Sequence, residues 1–313
     1  MRTRALLVAT VMVLAAACGT VPRERSDLVA TKIAVRSDDV GAIFERYRSV
    51  RNTAVGLLDA KPLSVVESGP VLAIDTGAFE VASRLDRALP KDRSPSTVRD
   101  VLAPRFAKYP LWFVAVSSDE ADRVGRVQVY QRESAVDPWL LVASPETVSD
   151  IALPGIRVRH GGAARVAAGN DVGMAESPQG AADEYAEALG DGGDGVQIDS
   201  FLRQMRRTAA DNAELRDVTF SQTWKAEKVE HALRTDDGGA LVFATLERTD
   251  TFKVRSGRTI TWPAGSPQRA FLQQGISTSG TLRYVHQVLL QVPPKGRIRA
   301  LGQFGGVVAG DGF

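Results

Sequence analysis

From Val40 onward apolar residues return at intervals of three and four: Ile43, Phe44, Tyr47, Val50, Ala54, Leu57 and Leu58. That spacing stacks them on one face of a helix. Ser37 or Asp38 opens it, and Asp38 and Asp39 sit at the positive end of its dipole. Lys61-Pro62 breaks the pattern, and Ser68-Gly69-Pro70 reads as a turn. A second stripe, Ala78, Val81, Ala82, Leu85 and Leu89, predicts a helix over 76–89, and the polar stretch 90–110 predicts a loop. The period then changes to two. Leu111–Val116 reads as a buried strand, Val124–Arg132 alternates apolar and polar positions, and Trp139–Ala143 is a third strand.

The same order recurs further on. Pro178 follows Ser177 at a helix start, with Ala182, Tyr185, Ala186 and Leu189 as the stripe. A helix at about Asp199–Ala210 presents Phe201, Leu202, Met205 and Ala209, and strands follow over 217–234, 240–254, 258–262, 281–292 and 298–303. Helices followed by a meander, twice over, is an α+β arrangement. The chain divides as two tandem modules, 37–158 and 178–313, each of helices followed by a curved antiparallel sheet. The Gly- and Ala-rich segment 159–177 links them.

Ahead of these lies Leu6–Cys18, which ends in the single cysteine. Arg2 and Arg4 form a positive n-region, Ala5–Ala17 is apolar, and Ala15-Ala16-Ala17 are the small residues before a cut. A spanning helix needs about 20 apolar residues, so residues 1–18 read as a lipoprotein signal peptide, cut ahead of Cys18. Cys18 at the cut can take a diacylglyceryl group. The pattern around it resembles the bacterial lipobox in Ala17, Cys18 and Gly19, with Leu14 one place early. The expectation is an exported protein anchored through lipid on Cys18 to the outer face of the cell membrane, with 19–36 as a tether. Two acyl chains give stable anchoring without a second membrane segment.

Composition narrows the partners. The chain is 44% apolar and 24% charged, as in globular proteins. The net charge of +2 comes from Arg2 and Arg4: without them the 39 basic residues fall to 37, against 37 acidic. Neither half carries the basic excess that nucleic-acid binding requires. With Cys18 acylated no thiol is left for disulfides, metal binding or catalysis.

Chemical motifs are sparse. No nucleophile elbow, zinc-protease, phosphate-loop or dinucleotide pattern occurs. Gly190–Gly195 has Asp191 and Asp194 three apart rather than at the alternate positions of a calcium loop. Asp183, Glu184 and Glu187 fall off their helix's apolar stripe and read as a solvated face. His160 lies in the linker. His231 shares a strand face with Val229 and Leu233, and His286 shares one with Leu282, Tyr284, Val288 and Leu290. Two imidazoles on apolar faces of one sheet could meet in a cavity walled by Trp224 and Tyr284, a place for proton transfer near neutral pH or for binding a metal. These four are the candidate pocket residues. No catalytic residue, metal or cofactor is expected.

The long first helix, the stretch Leu58–Asp75 (LDAKPLSVVESGPVLAID), the aromatic strand at Tyr109–Val116 and the Asp137-Pro138-Trp139 entry resemble uncharacterised actinobacterial lipoproteins built from tandem cystatin-like modules. These are related in shape to the nuclear-transport-factor superfamily. The resemblance implies a curved sheet wrapped on a long helix, and no catalytic Asp–His pair carries over. The expected function is a non-catalytic binding or accessory lipoprotein of the cell envelope, with an envelope protein or a small apolar ligand as partner. The alternative is a carrier or enzyme using a cone-shaped pocket in the second module.

Overall fold

A computed structural model describes residues 31–90, 97–119, 124–148, 152–158, 164–190 and 192–313. The leader with Cys18, His160 and Asp191 lie outside the described residues. The chain enters through β1 (Lys32–Ile33), and α1 (Ser37–Leu57) realises the first apolar stripe, with Asp38 and Asp39 in its first turn. A 3-10 turn follows at Lys61–Val65. Then α2 (Gly69–Arg84) starts and ends earlier than its stripe predicts. Ser68-Gly69-Pro70 is a helix start and not a free turn, because proline near the first helical position costs no hydrogen bond.

The segment expected as a loop carries β2 (Thr97–Leu102) and β3 (Arg105–Phe106). Next come β4 (Leu111–Asp119), β5 (Val124–Arg132), β6 (Leu140–Ala143) and β7 (Glu146–Val148). The second half opens with α3 (Pro178–Leu189) and α4 (Ser200–Ala213), whose N-caps Ser177 and Asp199 accept from Gly180 and Leu202 backbone N–H groups. It continues with β8 (Val218–Ala226), β9 (His231–Arg234), β10 (Ala240–Val254), α5 (Pro267–Phe271), β11 (Ser279–Val292) and β12 (Arg299–Gly312).

Three expectations change here. The strand over 217–234 is broken into β8 and β9 at 227–230. The strand over 258–262 shrinks to one bridge, Ile260 to Ile276. The last strand runs on to Gly312, because its glycines, a poor strand signal, serve close approach. A Cβ on Gly302 would stand 2.5 Å from the Glu146 carbonyl oxygen, and one on Gly305 would stand 2.5 Å from His286 Nδ1.

The fold is α+β, built on an antiparallel sheet of ten strands that draws on both halves in the order β2-β4-β5-β7-β12-β11-β10-β8; β6 is added to β5 and β9 to β10. Along the strand order of this sheet the halves join through β7 and β12, at the register pair Gln303 with Glu146. At this seam the sheet turns on itself, and the strands on either side pack face to face. Trp112, Val114, Val127 and Val129 from β4 and β5 meet Leu233, Leu241, Phe243, Leu289 and Leu301. On the other face of β10 and β11, α3 and α4 cover Val242, Ala244, Leu246, Val288 and Leu290.

Side chains bolt the seam. Gln287, 2% exposed, accepts from Ser144 N–H (3.0 Å) and donates to the Val142 carbonyl (2.8 Å). The end of α2 reaches the second half through Arg84, which donates to the Ala270 carbonyl (2.7 Å). Gly77 lets α2 approach β12, since a Cβ there would collide with the Val307 carbonyl oxygen. Lys32–Phe313 is one compact unit.

Candidate functional site

Where β9 breaks from β8, the seam leaves a cavity of about 310 Å³. The start of α2 (Ser68, Gly69, Pro70) and Gln131 of β5 wall it from the first half; His231, Phe243 and Thr245 wall it from the second. Ser68 occupies the N-cap position of α2 in extended conformation but makes no side-chain cap hydrogen bond. The positive end of this helix is therefore uncapped by side chains where it borders the cavity.

His231 is 9% exposed. Its Nε2 lies 2.5 Å from Gln131 Oε1, and the Gln131 amide nitrogen donates to Glu133 Oε1 (2.6 Å). With the amide nitrogen committed to a carboxylate, the amide oxygen faces the imidazole. Nε2 therefore carries the ring proton and Nδ1 the lone pair. Burial holds the imidazole's pKa down at about 4, so the ring is neutral at pH 7. Trp112 packs edge-on against it at 5.2 Å. Glu227, Lys228 and Glu230 also line the cavity. Lys228 lies 3.7 Å from Glu230, and burial followed by repulsion from Glu247 raises the Glu227 carboxyl.

The four candidate residues do not share one site. His231 pairs across the ladder with Phe243, and His286 with Leu246. Positions 243 and 246 of one strand point to opposite faces. The two imidazoles thus lie on opposite sides of the sheet, so the paired site that the sequence left open does not form.

Trp224, Tyr284 and His286 are gathered with two residues that the sequence reading missed, Arg248 and Asp250. His286 lies 5.3 Å from the Trp224 ring, 6.2 Å from Tyr284 and 5.4 Å from Phe201. Arg248 sits 4.1 Å over Tyr284 and pairs with Asp250, which also accepts from Gln222 (2.9 Å). Arg248 is 4% exposed and Asp250 1%. A sequence signal existed: both fall on the face of β10 set by Val242, Ala244 and Leu246, where a lone charge could not stay. Burial, then Arg248, holds the His286 pKa down at about 3. Neither of its ring nitrogens has a partner among the described residues.

A third polar group lies next to the cavity, behind Ser68. Glu67 is fully buried and accepts from the Tyr47 hydroxyl (3.0 Å), while Arg51 pairs with Asp75 at 2.6 Å. Burial, reinforced by Asp75, pushes the Glu67 carboxyl up to about 9, so it is protonated at pH 7. Among the described residues no three His, Cys, Asp or Glu side chains converge to hold a metal. No helix there is long and apolar enough to cross a membrane.

Fold and cavity together define an α+β protein with a small cleft lined from both halves of the chain. The chain belongs to the family described as Domain of unknown function (DUF8094), matched over residues 34–312. It is 26% identical over 318 residues to an uncharacterised lipoprotein of Streptomyces coelicolor, covering 97% of this chain and 93% of that protein. It is also 26% identical over 309 residues to an uncharacterised lipoprotein of Streptomyces avermitilis, covering 95% and 91%. No solved structure matches it significantly.

Proposed function

We propose that the protein is an exported lipoprotein, anchored through Cys18 to the outer face of the cell membrane, where it acts as a non-catalytic binding or accessory protein of the envelope. The seam cavity is its binding site. Two observations support this: both relatives are named lipoproteins along nearly their whole length, and residues of both halves converge on one cavity. Replacing Cys18 with serine is expected to move the protein from the membrane fraction to the soluble one. An unchanged distribution overturns the anchor.

The binding role has its own test. Thr245→Trp fills the cavity, with the Thr245 carbonyl still accepting from Glu227 N–H. A small-molecule fraction of envelope extract should raise the melting temperature of the wild type and leave that of Thr245→Trp unchanged.

Segments 37–158 and 178–313, linked by 159–177, are tandem cystatin-like modules in this reading, supported by their repeated order of helices before antiparallel strands. Five large apolar residues of the second module rest on the first: Leu233, Leu241, Phe243, Leu289 and Leu301. At roughly 1.5–3 kcal/mol each, their exposure matches a domain's whole stability of about 5–15 kcal/mol. A fragment of residues 178–313 should therefore show no cooperative thermal transition.

The alternative reading, a carrier or enzyme working from a pocket in the second module, has its face of β10 and β11 packed beneath α3 and α4. A carrier role fits the seam cavity better.

A further inference from the structure

We propose that the outer edge of β8 docks a second copy of this chain, which adds its own β8 antiparallel and makes one continuous sheet across a two-fold axis. This goes beyond the binding role proposed above and does not depend on it.

The ladder fixes which backbone groups are free. Glu227 N–H donates to the Thr245 carbonyl (2.9 Å) and Arg255 N–H to the Asp217 carbonyl (2.9 Å). Both bonds continue the register that pairs Val218 with Val254 and Ala226 with Leu246. Hydrogen-bonded positions alternate along an antiparallel pair. The odd-numbered residues of β8 therefore turn N–H and C=O toward β10, and Phe220, Gln222 and Trp224 turn theirs outward. β8 ends the strand order, and no bond among the described residues takes up these groups.

The side chains of the same three residues are tied back to the sheet. Trp224 Nε1 donates to Gln222 Oε1 (2.7 Å), Gln222 donates to Asp250 (2.9 Å), and Phe220 packs on Phe252 at 5.0 Å. The strand is fixed in place while its outer backbone stays open.

The two edges of the sheet differ in how they are guarded. Folded proteins blunt a free edge with short strands, bulges, charges or proline. At the opposite end, β2 has six residues, a register shift between Val98 and Asp100, and the charges of Arg99 and Asp100. β8 has nine residues in unbroken register, no proline, and one charge, Lys225.

The sequence of β8 also suits its own reverse. Centred on Gln222, a second copy overlaps all nine residues. Phe220 then faces the partner's Trp224, and Gln222 faces the partner's Gln222. Each outward pair exchanges two hydrogen bonds. On the half-buried face the aromatic rings meet across the strands, a favourable cross-strand pair. On the exposed face Thr219 lies opposite the partner's Lys225 and Ser221 opposite the partner's Thr223, so no like charges meet within the strand. Just beyond it, Asp217 would come nearest the partner's Glu227, and is already held by Arg255 and Arg258 at 3.6 and 3.2 Å. A two-fold contact of this kind is closed, so assembly stops at the dimer.

The test uses the full chain in detergent. Thr219→Cys and Lys225→Cys are made separately, both at exposed positions. In this register position 219 stands about 4.5 Å, Cα to Cα, from the partner's position 225, within disulfide reach. Like positions lie about 20 Å apart. Oxidising an equal mixture of the two variants should give several-fold more covalent dimer than oxidising either alone. Wild type, whose one cysteine is Cys18, sets the background. In sedimentation equilibrium Thr219→Lys should loosen the dimer several-fold and Thr219→Glu should tighten it, because each faces the partner's Lys225.

A mixture that cross-links no better than the single variants overturns the proposal. So does equal dimerisation of Thr219→Lys and Thr219→Glu. Hydrogen exchange reads the same edge. Slow amides at Phe220, Gln222 and Trp224 without the 219–225 cross-link would show a strand of another protein on β8, and the second copy falls.

Discussion

Asp250→Ala is expected to lower the unfolding free energy by about 3–5 kcal/mol, the cost of stranding one member of a buried ion pair. Arg248 would remain 4% exposed, wedged between the Trp224 and Tyr284 rings and under Met205, with its carboxylate gone. Gln222 would lose its acceptor as well. Urea unfolding checks this: the midpoint should fall with the slope unchanged. Replacing both charges, Arg248→Met with Asp250→Leu, should recover most of the loss, because the pair's attraction is largely offset by the cost of burying it. A double variant as unstable as Asp250→Ala would show that the pair's hydrogen bonds, and not the uncompensated charge, dominate.

Stability is expected to peak near pH 6.5 and fall on both sides. On the acid side, His231 and His286 are held neutral by burial, with pKa values of about 4 and about 3. Below 6.5 the unfolded chain takes up protons that the fold refuses. The stability these histidines contribute is present above pH 6.5 and is lost as pH falls toward 4 and 3, at about 1.4 kcal/mol per pH unit each. Glu67 acts oppositely. Its folded pKa of about 9 means the fold keeps a proton that the unfolded chain releases above about 4.5. Its contribution is full below that value and is lost as pH rises through 9.

Between 4.5 and 6.5 Glu67 offsets one histidine, so the acid limb has the slope of one group. Between 6.5 and 9 Glu67 sets the alkaline limb. Thermal melts from pH 4 to 9 read both. His286→Phe should flatten the acid limb, since neither ring nitrogen has a bond to lose, and Glu67→Gln should flatten the alkaline one. A profile unchanged in both variants would sink this assignment.

Much of the architecture was legible in the chain. The 3.6-residue stripe at Val40–Leu57, the two-residue period of β5 and the strand expected over 240–254 gave elements whose bounds the structure reproduces closely. Periodicity reports which face of an element is apolar, a property each segment carries by itself. The same rule placed His286 beside Tyr284 and Trp224. It also held, unread, the Arg248–Asp250 pair. It failed where glycine carries the meaning: Gly302 and Gly305 look like breaks, yet they let β12 lie against Glu146 and under His286. It also failed at Ser68-Gly69-Pro70, where one tripeptide serves equally as a turn or as a helix start.

The sequence by itself determined the α+β content, the balanced charge and the expectation of a lipid-bearing Cys18, because each rests on local composition or spacing. Only the tertiary structure decided that the strands of both halves share one sheet. It also put His231 and His286 on opposite faces, and brought Ser68, Gln131 and His231 to one cavity. Gln131 and His231 are 100 positions apart. Their meeting depends on how the sheet turns at the Gln303–Glu146 seam, and strand register across so long a separation leaves no trace in the pattern of any single segment.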